Sequence, residues 1–268
     1  MGTVIAGGHR LNAALTPPLR TGAPTVVFLH EGLGSLAQWR DFPARLRRAT
    51  GCGTLVYDRW GYGASAARPG VWPASFMHDE AVESLPAVLT AAGLQDPPVL
   101  FGHSDGGSIA LIFAARNPGA VRAVVTEAAH VMVEDVTIAS IAAAAERFAQ
   151  GGLRERLARH HGTNTDSLFA GWSGAWLSPD FRRWDLRPLL GGVGCPVLAI
   201  QGRDDEYGTG EQVAAIAAGC AGGADTLVIE ACGHAPHAEQ PRAVLAAVAA
   251  FLERAATSSA APPSAQPL

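Results

Sequence analysis

The chain has 268 residues, of which 48% are hydrophobic and 16% are charged, and its formal net charge is −4. This length suits one α/β domain with an insertion, or two small domains. All 20 basic residues are Arg, which excludes a lysine Schiff base and the lysine of a phosphate-binding loop. Because the chain is acidic and has no basic run, we expect no nucleic-acid partner and no attraction to an anionic membrane.

The four cysteines lack the C-x-x-C spacing of metal and redox sites. We therefore expect free thiols in a reducing cytoplasm, with no metal and no cofactor. The first ten residues lack the basic and apolar regions of a signal peptide, and no apolar stretch is long enough to span a bilayer. The small, polar and Pro-rich segment 256–268 predicts a disordered tail.

In chain order, residues 3–18 come first and are typical of a hairpin at the edge of a sheet. Six short apolar runs follow, and helix-period segments lie between most of them. One such segment, 80–93, contains Pro86 and is expected to kink there. None of the six runs alternates cleanly, which is typical of strands covered on both faces of a parallel sheet. The alternation of strands and helices predicts a doubly wound α/β fold. The six runs are 25–30, 54–59, 98–104, 123–128, 196–202 and 226–232.

The rhythm of strands and helices breaks over residues 129–194, which we call the cap segment. Several short helical patterns fill it, and it carries three of the six tryptophans. The sequence therefore predicts a core of residues 1–128 and 195–255, with a helical cap over the carboxyl edge of the sheet. Because a pocket for an acyl group needs apolar walls, Trp172 and Trp176 are candidates to line it.

The clearest motif is Gly102-His103-Ser104-Asp105-Gly106, which matches G-x-S-x-G between a strand and a helix. A serine nucleophile must stand above the sheet on a strained turn, and glycines on both sides avoid collisions with the neighbouring strand and helix. The following helix points its positive end at the reacting oxygen. Glycine-rich turns also bind phosphates, but the G-x-G-x-x-G of a dinucleotide site is missing here.

Partners for such a serine follow later in the chain. Asp204 and Asp205 come just after the apolar run 196–202, and His234 comes just after the run 226–232. The order Ser, Asp, His is the one that this motif predicts. In open α/β sheets, sites form at the carboxyl ends of the strands, which is where all of these residues fall.

On these residues, and on the segments "YDRWGYGAS" (57–65) and "GHAPHAEQP" (233–241), the chain resembles the α/β-hydrolase superfamily over roughly residues 24–255. The cap segment matches least. The resemblance implies a mostly parallel, eight-stranded sheet and a cap-bearing serine hydrolase, similar to bacterial hydrolases of small esters and aromatic breakdown products.

The resemblance also implies catalytic roles. Ser104 would attack a carbonyl, His234 would carry the proton, and an acid would orient the imidazole. That acid is expected at Asp205, with Asp204 as the alternative, and both aspartates could instead cap the helix near residue 210. An acid after the earlier strand is a further alternative, with three candidates: Glu127, Glu134 and Asp135.

Two backbone N–H groups should form the oxyanion hole. One is expected from Asp105, and the other from Gly32 or, alternatively, Leu33. Glu31 stands where the superfamily usually has glycine, and its carboxylate would oppose the developing negative charge. It is therefore expected to turn away, towards Arg59.

The remaining histidines have structural interpretations. His30 is expected to brace its loop and His103 to be packed. His237 is expected at the surface or just behind the site. His160 and His161 have no further ligand at metal-binding spacing.

The expected function is hydrolysis of a small carboxylic ester or thioester through an acyl-enzyme intermediate, with a small-molecule substrate. The alternatives are hydrolytic C–C cleavage of an aromatic ring-cleavage product, and a non-catalytic ligand-binding protein of the same fold. The sequence does not predict an oligomeric state.

Overall fold

A computed structural model of the chain describes residues 2–258. In this part of the chain, eight strands form one sheet in the order β1-β2-β4-β3-β5-β6-β7-β8. The strands are β1 (Gly2–Ala6), β2 (His9–Thr16), β3 (Thr25–Leu29), β4 (Gly53–Tyr57), β5 (Val99–His103), β6 (Ala123–Glu127), β7 (Val197–Gly202) and β8 (Ala224–Ile229).

The sheet is parallel from β4 to β8, whereas β1 and β2 are antiparallel additions at one edge. Every residue of the central strands β5 and β6 is buried, as their unbroken apolar runs predict. The predictions of an edge hairpin and of a mostly parallel, eight-stranded, doubly wound sheet are confirmed.

Ten α-helices are found among residues 2–258. They are α1 (Phe42–Thr50), α2 (Phe76–Asp79), α3 (Leu85–Ala91), α4 (Asp105–Arg116), α5 (Asp135–Ala149), α6 (Gly152–His161), α7 (Thr165–Trp176), α8 (Gly210–Gly219), α9 (Pro236–Glu239) and α10 (Pro241–Ser258).

Helices cover both faces of the sheet. Alternate residues of β3 enter different apolar clusters, with Val27 on one face and Val26 on the other. Ile109 of α4 packs in the first cluster, and Phe42 of α1 and Val248 of α10 pack in the second. The two-sided burial explains why the strands are apolar at consecutive positions.

Of two expectations about helices, one stays a prediction and one needs correction. Residues 76–91 are helical without a break, and a π-helical turn (Glu80–Ser84) joins α2 to α3. Pro86 lies just after this turn, at the start of α3, and the kink expected there stays a prediction. Helix α10 continues to Ser258, so residues 256–258 of the predicted tail are helical, and residues 259–268 lie outside the described part.

The carboxyl ends of the parallel strands bring distant parts of the chain to one edge of the sheet. Glu31 follows β3, Ser104 follows β5, Asp205 follows β7 and His234 follows β8. Helices α5, α6 and α7 occupy the chain between β6 and β7, within the cap segment. The exact division into core and cap stays a prediction. Over residues 2–258, no helix is both long and apolar enough to cross a membrane.

Candidate active site

Ser104 lies on a tight turn between β5 and α4, with φ 52° and ψ −118°. A side chain at Gly102 would collide with the backbone of Gly106, and one at Gly106 would collide with the carbonyl of Leu29. Only glycine therefore fits at position 102, and only glycine fits at position 106. The Ser104 N–H donates to the Glu127 carbonyl at 2.8 Å, which helps to hold the strained residue in place.

Asp205 and His234 form a direct hydrogen bond, in which His234 Nδ1 lies 2.8 Å from Asp205 Oδ1. Asp205 also accepts from the Tyr207 N–H at 2.8 Å and from Gln201 Nε2 at 2.6 Å, and its side chain is 1% exposed. These bonds fix the carboxylate. Because Asp205 is an acceptor, the Nδ1 of His234 carries the proton, and Nε2 can accept one.

The contact between Asp205 and His234 raises the pKa of the histidine and lowers the pKa of the aspartate. Burial alone would lower the pKa of His234, but the hydrogen bond and charge of Asp205 outweigh it, so the pKa lies above its ordinary value. Burial would raise the pKa of Asp205, yet the bond to His234 holds it below its ordinary value. The arrangement thus favours an ionised carboxylate beside a histidine that binds a proton readily.

The alternative acids lie elsewhere. Asp204 is exposed. Neither it nor Asp205 caps α8, because Thr209 is the N-cap and its hydroxyl accepts from the Glu211 N–H at 3.2 Å. The alternative in which these aspartates cap the helix is therefore wrong.

The three acids at the end of β6 and in the segment after it bond to groups other than His234. Glu127 lies 2.7 Å from His237 Nδ1, Glu134 accepts from Gln212 Nε2 at 2.7 Å, and Asp135 pairs with Arg182 at 3.0 Å. His237 is buried among aromatic rings, so of its two expected places, at the surface or just behind the site, the structure shows the second.

Ser104 and His234 both line a cavity of about 370 Å³. Trp172 and Trp176 line it as well, at 5% and 1% exposure. The walls combine these rings with aliphatic side chains of α5 and α6 and with polar side chains from several loops and helices. This is the usual make-up of a small-molecule site.

The two proposed oxyanion donors lie in the loop after β3 and at the start of α4. The Leu33 N–H donates to Glu31 Oε2 at 2.6 Å, so it is already engaged. Gly32 packs against the Trp172 indole so closely that a Cβ would collide with it. Asp105 occupies the first turn of α4, where backbone N–H groups have no partner within the helix. Gly32 and Asp105 therefore remain the candidates.

Glu31 does not turn to Arg59 as expected. The Arg59 guanidinium donates to the backbone carbonyls of His30 and Glu31, at 3.2 and 3.0 Å. The Glu31 carboxylate instead folds over its own loop to Leu33 and lines the cavity. Burial raises its pKa, against the opposing effect of the Leu33 bond.

Asp105 lines the cavity and is buried, at 1% exposure. Its Oδ1 accepts from Trp176 Nε1 at 3.2 Å, and its Oδ2 has no hydrogen-bond partner among the described residues. Burial raises the pKa of this carboxyl to about 6; Arg59 opposes the rise and Glu31 adds to it.

Several cavity residues escaped the sequence-based prediction, and His130 and Tyr207 lie closest to the candidate triad among those with a recorded ring contact. His130 packs edge-on against Trp176 at 5.2 Å, and burial, aided by the charge of His234, lowers its pKa to about 4. The Tyr207 ring lies 4.7 Å from the ring of His234. Both follow predicted strands closely, and that position was the signal that could have found them.

The other histidines brace the fold. His30 Nε2 accepts from the Arg59 N–H at 3.1 Å, and the buried His103 ring donates to the His234 carbonyl at 2.7 Å, as their packing roles predict. His161 accepts from the Gly63 N–H at 2.9 Å. Within residues 2–258, no group of three or more potential ligands could hold a metal ion.

Comparison with known proteins agrees with this architecture. The sequence profile described as "Alpha/beta hydrolase family" matches residues 26–248. The comparison with curated protein sequences returned no match.

Similar solved structures share the fold over nearly the whole chain. An esterase from Thermogutta terrifontis is 20% identical, with a TM-score of 0.75 over 95% of this chain and 98% of its own. The meta-cleavage product hydrolase from Pseudomonas fluorescens is 18% identical, with a TM-score of 0.75 over 95% and 98%. A proline iminopeptidase from Mycobacterium smegmatis is 21% identical, with a TM-score of 0.72 over 96% and 99%. With the profile match over most of its length, the chain belongs to the alpha/beta hydrolase family.

Proposed function

We propose that the protein is a serine hydrolase that cleaves a small carboxylic ester or thioester through an acyl-enzyme intermediate. Ser104 is the nucleophile, His234 the general base and acid, and Asp205 the orienting acid. The observation that carries the proposal is the Asp205–His234 hydrogen bond of 2.8 Å, beside a cavity that His234 shares with a serine on a strained turn.

In the proposed reaction, Ser104 Oγ attacks the carbonyl carbon while His234 Nε2 takes the hydroxyl proton. The backbone N–H groups of Gly32 and Asp105 stabilise the oxyanion. Collapse of the tetrahedral intermediate expels the alcohol or thiol, which takes the proton from His234. A water molecule then gives a proton to His234 and attacks the acyl group, and the acid leaves as Ser104 recovers its proton.

Labelling with a fluorophosphonate probe, followed by peptide mass spectrometry, tests the nucleophile. The probe should modify Ser104 in the wild-type protein and leave Ser104→Ala unlabelled. Ser108→Ala is a matched control on α4, the helix that follows Ser104, and should still be labelled. Ser104→Ala should also lose about 10⁴–10⁶-fold in turnover, as expected when triad members act as a unit.

A panel of p-nitrophenyl esters, acyl thioesters and ring-cleavage diketones tests the reaction class. We expect turnover of esters or thioesters. Turnover of diketones alone would favour C–C cleavage instead. Binding without labelling and without turnover of any of them would favour a ligand-binding protein and contradict the proposal.

A further inference from the structure

The cavity beside Ser104 is rich in carboxylates. Glu31, Asp105 and Glu206 all line it. Among the described residues, none of these three carboxylates has an Arg or His nitrogen within 4.0 Å. Of the three, Asp105 is fully buried, Glu31 is partly buried and Glu206 is exposed. The most buried of the three carboxylates is therefore the one that directly follows Ser104 in the chain.

One carboxylate oxygen of Asp105 lacks a hydrogen-bond partner. Its Oδ1 accepts from Trp176 Nε1, but Oδ2 has no partner although the residue is only 1% exposed. Buried polar atoms are nearly always hydrogen-bonded, because leaving one unpaired costs about 1–3 kcal/mol, and more when it is charged. A donor from a bound molecule would remove this cost.

The arginines near the cavity do not donate a hydrogen bond to Asp105 Oδ2. Arg59 is buried and its charge acts on Asp105, but its hydrogen bonds run from one terminal nitrogen to the backbone carbonyls of His30 and Glu31. Among the described residues its Nε, like Asp105 Oδ2, has no hydrogen-bond partner. Arg156 and Arg159 line the cavity from α6 and are exposed, so solvent screens their charge. Despite the opposing charge of Arg59, the pKa of Asp105 is raised to about 6, so near neutral pH the carboxyl is mostly ionised inside the cavity.

We infer that the cavity takes a substrate with a protonated amine close to its scissile carbonyl, and that Asp105 Oδ2 accepts a hydrogen bond from that ammonium group. The inference rests on the proposed hydrolytic function, because the amine is placed relative to a carbonyl at Ser104. The backbone N–H of Asp105 is a proposed oxyanion donor, so both groups of one residue would contact neighbouring parts of the substrate.

The electrostatics of the reaction favour this substrate class. With a neutral ester, the ionised Asp105 side chain opposes the negative charge that develops on the carbonyl oxygen. An ammonium group at Asp105 neutralises the carboxylate and attracts the oxyanion at the same time. A desolvated charge pair of this kind can also contribute strongly to discrimination between substrates.

Matched esters test the inference. Phenyl butanoate is compared with phenyl 2-, 3- and 4-aminobutanoate, which differ from it only in the amino group, and kcat/KM is measured for each. The wild-type protein should prefer at least one amino ester by about tenfold or more, and Asp105→Asn should lower that ratio by about tenfold or more. Glu206→Gln removes the same charge from an exposed residue of the cavity and should change the ratio by less than about threefold.

The outcomes separate the two proposals. Hydrolysis of phenyl butanoate without a preference for any amino ester, or a preference that survives in Asp105→Asn, overturns the ammonium site and leaves the proposed hydrolase intact. Absence of turnover of all four esters, together with absence of fluorophosphonate labelling at Ser104, overturns both.

Because Asp105→Asn changes a buried side chain, a measurement on the wild-type protein gives an independent test. Calorimetric titration near pH 8 compares butylammonium with 1-butanol, and neither ligand has a scissile bond. We expect butylammonium to bind at least about tenfold more tightly, as for a buried charge pair. Equal or weaker binding of butylammonium overturns the inference.

Discussion

Replacing Asp105 with Asn should make the protein more stable at neutral pH while changing its stability in acid much less. The carboxyl has an ordinary pKa of 3.8 and a pKa of about 6 in the folded protein, because it is buried. Between these values the folded state binds more protons than the unfolded state, so the free energy of unfolding falls as the pH rises. Since a tenfold difference in proton affinity is worth about 1.4 kcal/mol, the total fall is about 3 kcal/mol.

Asn keeps an oxygen that can accept the hydrogen bond from Trp176 Nε1, and it cannot ionise. The variant should therefore gain up to about 3 kcal/mol relative to wild type between pH 3.5 and pH 8. Urea denaturation at several pH values measures this difference. Asp204→Asn removes an exposed carboxylate and should stay within about 0.5 kcal/mol of wild type. A gain in Asp105→Asn that does not depend on pH would refute the explanation that burial of the charge destabilises the protein.

Asp205→Asn should lower kcat by about 10⁴-fold, because an amide can hold the imidazole of His234 in the wrong tautomer. Asp204→Asn should change kcat little, and equal losses in the two variants would contradict the assignment of Asp205 as the orienting acid. The pH profile of kcat/KM should show an acid limb above pH 6.5, because His234 must be neutral to act as a base and its pKa lies above that ordinary value. An acid limb at lower pH would mean that another group controls the reaction. Trp172→Ala should change the ratio of rates on short and long acyl esters, while Trp184→Ala, which is buried but does not line the cavity, should lower the Tm without changing that ratio. Equal effects of Trp172→Ala on all esters would mean that its ring only supports the fold.

The order of residues in the chain was enough to predict the fold and the placement of the candidate triad residues. Strands such as β5 and β6 are covered on both faces, so their sequences are apolar throughout, and this pattern can be recognised without coordinates. The need for Gly102 and Gly106 could also be predicted from the sequence motif, because the turn that presents Ser104 leaves no space for a Cβ at either position. These features depend on local backbone geometry and on burial along single strands.

Which side chains pair with each other was decided only by the tertiary structure. Asp204 and Asp205 are neighbours in sequence, yet only Asp205 contacts His234, 29 residues later. Asp105 is buried against Trp176, 71 residues away. Burial and pairing at this site therefore arise where loops from separate strands meet helices of the cap segment. The pKa of a carboxyl depends on those distant neighbours, and so does whether each of its oxygens has a hydrogen-bond partner. Local sequence patterns could therefore predict neither.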